Sequence, residues 1–200
     1  MFIKNEKLDI FENIFFIVYN NMSTHNVSNA TEWNALSVVA GDTINITDSF
    51  IFSSQPTITS LGNGTTLEGN GHTITHSYSP VKPMVTVAHA NATVRNLKLN
   101  GGGGSITSDG LLFNGSGTRD GTIEYVNVSN VTITGADNCG GLGNQFLGTI
   151  RYCTTSATID DGDSIGGLIG SVLSGGTPTI EYCTFTGIIG STTDPTNSRG

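Results

Sequence analysis

Charge is scarce in this 200-residue chain, where Asp, Glu, Lys and Arg together make up 12% of the residues. The eight Lys and Arg are scattered and the formal net charge is −8. That excludes the clustered basic face by which a protein holds a nucleic-acid backbone. No run of 18 apolar residues occurs, so no membrane span is predicted. The three cysteines include no Cys-x-x-Cys pair, which argues against a zinc site. From residue 40 onward no useful apolar stretch repeats every 3.6 residues, and helix is removed as the main element.

What fills the chain instead is Gly, Thr, Ser and Asn, with β-branched residues between them. This is the composition of short strands and turns. One phrase recurs: "TLEGNGHT" from Thr66, "TVRNLKLN" from Thr93, "TIEYVNVSN" from Thr122, "TIRYCTTSA" from Thr149 and "TIEYCTFTG" from Thr179. Its anchors are Leu67, Val94, Ile123, Ile150 and Ile180, at intervals too long for one hairpin and suited to stacked repeat units. In the last four copies an apolar-type position comes three residues after the anchor and another two later, as in Val94, Leu97 and Leu99. Strands alternate with period two, so the step of three marks a bend. Asn96, Tyr125, Tyr152 and Tyr182 are the bend residues.

Two more apolar columns are expected in each unit, one through Ile74, Ile106, Ile133, Ile159 and Ile188. The other runs through "MVTV" at 84, "GLLF" at 110, "GGLG" at 140 and "GGLIG" at 166. About three short strands per unit, stacked unit on unit, give an all-β fold: a parallel β-helix, a single-stranded solenoid of about five coils. A sandwich or up-and-down barrel would need turn signals every 8 to 12 residues and no similarity between units.

The division expected is a prefix at 1–21, a capping helix and first strands at 22–65, coils at 66–190 and a tail at 191–200. In the prefix, Phe11, Ile14, Phe15 and Val18 share a helical face. A weak secretory signal, interrupted by Glu6, Asp9 and Glu12, and upstream translated sequence before Met22 are the alternative readings. Asn29 is a candidate N-cap with Glu32 three later, followed by Trp33 and Leu36 as a buried face, so a short helix covers the first coil. The tail "STTDPTNSRG" has no apolar element, and either further chain or a partner is expected at that edge.

The strings "GGLGNQFLGTIRYCTTSATI" and "GGLIGSVLSGGTPTIEYCTFTG" resemble the GLUG repeat of surface and adhesion-type proteins. "GDTINI" followed by "GTTLEGNGHTIT" is similar to the opening coils of right-handed parallel β-helix proteins of the pectate-lyase-like superfamily. The first likeness covers about residues 139–190 and the second about 40–190. Together they imply a right-handed solenoid and either a surface role or polysaccharide cleavage.

Candidate chemistry is sparse. Asp160, Asp161 and Asp163 in "IDDGDS" are oxygen ligands suited to calcium, or simply an Asp-Gly turn. Cys153 and Cys183 share a repeat position and stack, with a ladder of free thiols favoured over a disulfide. His72 and His76 are too far apart on a strand to share a metal and read as turn or surface residues. Arg119 and Arg151 are isolated, so no carboxylate has a basic partner for sugar cleavage. The polygalacturonase motifs Asn-Thr-Asp, Gly-His-Gly and Arg-Ile-Lys are absent. Nine Asn-x-Ser/Thr triplets suit an exposed protein, but Thr-rich turns also generate them.

The function expected is therefore that of a non-catalytic module, an adhesin, fibre or minor coat component of a cell surface or virus particle. Its partners would be a glycan or protein along a stacked face, or further copies through the open edge. Calcium is the one cofactor considered. The alternative is part of a polysaccharide lyase or hydrolase.

Overall fold

A computed structural model describes residues 22–87, 89, 91–107, 110–114, 120–134, 139–160, 165–172 and 177–190. The chain winds into a β-solenoid of about five turns, with all strand pairs parallel. The first ladder has seven rungs: Thr24–Val27, Thr43–Ile46, Thr66–Glu68, Thr93–Asn100, Thr122–Ser129, Thr149–Arg151 and Thr179–Glu181. Each rung opens on a threonine in register with the next. The following position carries His25, Ile44, Leu67, Val94, Ile123, Ile150 and Ile180. All five anchors expected from the repeat stand in this column, which also continues upstream to Ile44 and His25.

The bend after the first ladder is a single left-handed residue. Asn96, Tyr125, Tyr152 and Tyr182 have φ of 55°, 54°, 55° and 53°. One αL residue reverses the side-chain alternation, which explains the step of three in the sequence. For a residue with a Cβ this conformation costs on the order of 1 kcal/mol.

The second ladder then carries Phe50, Ile74, Leu99, Val128, Thr155 and Phe185 in one inward column. Ile74 belongs here, beside Leu99, and not with Ile106 as its spacing suggested. The loop from Gly69 to His72 lengthens that bend by two residues and shifts Ile74 along the sequence, although not in space. A third ladder joins Ser105–Ile106, Thr132–Ile133, Thr158–Ile159 and Ile188–Ile189. Its last rung places Ile189 over Ile159, so the inward column ends on Ile189 and not on Ile188. A Gly-Ile-Ile-Gly string cannot say which isoleucine is inward.

A fourth face makes four strands in the fullest coils rather than three. It pairs Thr59–Leu61 with Val85–Val87, bridges through Phe113, and pairs Gly143–Phe146 with Ile169–Val172. Here backbones and rings press together. A side chain at Gly143 would run into the ring of Phe113, and one at Gly140 into the backbone of Ile169. The Gly-Gly-Leu turns are thus written by close approach.

The interior is one apolar cluster from Val27 to Ile169. At the first end, the helix Ala30–Asn34 is capped by Asn29, whose side chain accepts from the Glu32 N–H at 3.0 Å. Glu32 in turn accepts from the Ser28 N–H at 2.7 Å. Trp33 is fully buried, meets Phe52 edge-on at 6.2 Å and donates its indole N–H to the Thr57 carbonyl. Leu36 packs partly buried beside the cluster. In the last described coil, Ile180 is 44% exposed whereas its rung-mate Ile150 is 0%.

Ile150→Asp, which puts a charge in the sealed column, is expected to unfold the domain or cost more than ~3 kcal/mol. Glu181→Lys, on the outward neighbouring position, should leave the urea midpoint nearly unchanged. Equal midpoints for the two variants would refute the register.

Candidate functional site

The outward positions of the first ladder form the most ordered surface. After each anchor the column reads Asn26, Asn45, Glu68, Arg95, Glu124, Arg151 and Glu181. Its last five members alternate in sign. Arg95 Nε lies 2.6 Å from Glu68 Oε2, and Arg151 Nη2 lies 2.7 Å from Glu124 Oε2. Arg151 is therefore paired and not isolated, which corrects the expectation from sequence. The signal was present, because Glu124 and Arg151 each follow an anchor, but it shows only when the copies are aligned on the anchor. Burial pushes the Glu68 carboxyl up, yet the Asn70 N–H, the Asn96 amide and the Arg95 guanidinium hold it below the usual range.

Next to this column the tyrosines stack. Tyr125 and Tyr152 have ring centroids 4.8 Å apart and planes 7° apart, and Tyr152 and Tyr182 follow at 5.1 Å and 5°. Each pair contributes about 0.5–1.5 kcal/mol, comparable with the backbone cost of its αL residues. Where the tyrosines stop, a cleft of about 470 Å³ opens, lined by Glu68, Asn70, Gly71, Asn96, Lys98, Tyr125 and Asn127.

Amides stack too. Asn45 donates to Asn26 at 2.8 Å, Asn70 to Asn45 at 2.7 Å, Asn91 to Asn63 at 2.9 Å and Asn130 to Asn100 at 3.1 Å. Five Asn-x-Ser/Thr triplets thus begin on asparagines engaged in these ladders, Asn26 and Asn45 within strands and Asn63, Asn91 and Asn130 in turns before threonine rungs.

The sulfur ladder is present. Cys153 and Cys183 are thiols, and each donates to a carbonyl of the coil before it, Ile123 at 3.7 Å and Ile150 at 3.6 Å. Burial pushes the Cys153 thiol up to about 12, so it stays protonated and unreactive. Cys139 is buried, with Gly140 bridged to Gly166 in the next coil.

His76 is another correction, for it lies fully buried against Phe52 and Tyr78 and not on the surface. It sits in register with Phe52 in the second ladder. Burial lowers its pKa to about 4, and Nδ1 lies 3.2 Å from the Tyr78 hydroxyl. Asp42, which sequence reasoning missed, is buried and accepts from the Ser23 N–H, the Val39 N–H and the His25 ring. Burial raises its carboxyl, but those donors outweigh it and the pKa falls. Its role is to tie the first strand to the turn before the second.

Of the calcium candidates, Asp160 ends the third-ladder strand and donates its N–H to Ile133. Asp161 and Asp163 lie outside the described residues, as do Arg119 and the prefix. Among the described residues, no helix is long and apolar enough to cross a membrane.

A protein named Halomucin, from Haloquadratum walsbyi (strain DSM 16790 / HBSQ001), is 32% identical to this chain over 111 residues. The match takes in 56% of the chain and 1% of the relative. The chain thus spans a very small part of that protein's length. No family model matches the chain, and no solved structure matches it significantly.

Two outcomes follow for solution behaviour. In the unfolded chain His76 takes a proton near pH 6.5, whereas in the fold it resists protonation to about pH 4. Stability is therefore complete above pH 6.5 and falls by about 3 kcal/mol as the pH drops through that window. His76→Phe should flatten the slope in pH-dependent urea unfolding; an unchanged slope would place the titration elsewhere. Dithiothreitol should leave the melting temperature of the wild type unchanged, because Cys153 and Cys183 are not bridged.

Proposed function

We propose that this solenoid is a non-catalytic structural module of an extracellular surface, whose outward first-ladder face binds glycan or protein. One observation carries the reading: most of the charged and aromatic side chains described on that face are spent on one another. Glu68 and Glu124 accept from Arg95 and Arg151, and Tyr125, Tyr152 and Tyr182 stack. A hydrolase or lyase needs a carboxylate or base whose proton affinity sits near neutrality; Glu68, held below the usual carboxylate range, does not supply it, and Glu124 is engaged by Arg151. Such a face offers instead a regular row of amide, hydroxyl and phenol groups, which binds through repetition.

The Gly-Gly-Leu turns that resemble the GLUG repeat, and a relative whose name marks it as a mucin, support a place outside the cell. Adhesion to a polysaccharide or to a neighbouring protein is the role this face suits.

The test is to incubate the purified protein with acidic and neutral polysaccharides and measure unsaturated and reducing ends, with a glycan array in parallel. Array binding without sugar release is expected. Release that disappears in Arg151→Ala would overturn the reading in favour of an enzyme.

A further inference from the structure

Among the described residues the tyrosine stack ends on Tyr125 at one side and on Tyr182 at the other, and of these two terminal rings it is Tyr125 that lines the cleft. Tyr152 has a tyrosine on each side, whereas Tyr125 has Tyr152 on one side only. In the coil before it, the same bend position is occupied by Asn96, which takes the same left-handed conformation. An amide thus stands where the next ring would stand. The uncovered side of Tyr125 fronts the cleft, and Tyr125 is 52% exposed.

The polar groups around this ring are unevenly committed. Glu68 is already engaged by three donors, accepting from Arg95, from the Asn96 amide and from the Asn70 N–H. Asn127 gives one amide hydrogen to Thr154 and Asn96 gives one to Glu68. Their amide oxygens accept no side-chain hydrogen bond among the described residues. Lys98 makes no ion pair among them either. The cleft therefore offers one aromatic face, two amide acceptors and one ammonium donor.

From this set we infer that the cleft is a binding subsite for a single pyranose residue of a glycan, stacked on Tyr125. A pyranose has an apolar C–H face, which fits an aromatic ring, and a rim of hydroxyls that both donate and accept. Its hydroxyls donate to the Asn96 and Asn127 oxygens and accept from Lys98. A flat apolar ring in the same place would make no hydrogen bond to any of these three groups. The wall of small polar residues around a single ring also suits a shallow sugar contact better than a deep apolar pocket. This subsite rests on the binding role proposed above and gives it an address.

Asn96→Tyr is the sharpest test, because three other coils already carry tyrosine at this bend. The new ring would extend the stack to a fourth rung and cover Tyr125. Lys98→Met, at an exposed position, gives a second variant that leaves the core alone. Binding would be followed by saturation-transfer NMR and calorimetry on glucose-, galactose- and mannose-based oligosaccharides and their carboxylated or sulfated counterparts. Melting curves would confirm that each variant is folded.

Wild-type binding that weakens about tenfold or more in Asn96→Tyr, and also falls in Lys98→Met, is expected. Binding that is equal in all three proteins would overturn the subsite and leave the surface-module reading standing. Failure of the wild type to bind any of these sugars would do the same. Sugar release by the wild type would overturn the surface-module reading itself, and the subsite with it.

Discussion

Parallel strands about 4.8 Å apart hydrogen-bond rung to rung along the whole rod, and every other feature of this protein conforms to that spacing. A coil cannot bury its inward residues alone; Ile150 is sealed only because Ile123 lies in register on one side and Ile180 on the other. Stability is then a sum of coil-to-coil contacts. The inward column must stay apolar at every rung, while coils can differ in length wherever the chain leaves a ladder. The insertion at Gly69 to His72 is such a departure.

Outside the rod the same spacing places like over like, and the side chains show the consequence. Stacked carboxylates would repel, so Glu and Arg alternate down the column after the anchor. Stacked phenols attract, so Tyr follows Tyr. Stacked amides donate and accept at once, so Asn follows Asn across coils. One place where a pattern gives way to another, Asn96 beneath Tyr125, is also where the surface opens into a cleft. Function on a solenoid face is most readable at such interruptions, since the uninterrupted stretches are occupied with holding the rod.

At the first end, tertiary packing recruits groups that would otherwise be solvated. Trp33 and Phe52 close the interior, His76 is drawn in as an aromatic disc, and Asp42 is buried among three donors. These groups cost burial, and they are tolerated because each but one polar atom in this set is satisfied: the second ring nitrogen of His76 has no partner. Burial of this ring is what ties the stability of this end to acidity.

By itself the sequence determined the solenoid, the five anchors, the position of the bend at Asn96 and the three tyrosines, the helix cap at Asn29 and the thiol ladder. All of these repeat with the coil or sit in a local turn motif, so composition and spacing carry them. Only the tertiary structure decided that Ile74 joins Leu99, that Ile189 and not Ile188 faces its column, that His76 is inside, and that Arg151 is paired. It also placed Glu68, Asn96, Lys98 and Tyr125 around one cleft. The physical reason is that each of these depends on which residue of one coil lies over which residue of the next, and loops of unequal length hide that registry from a single chain read in order.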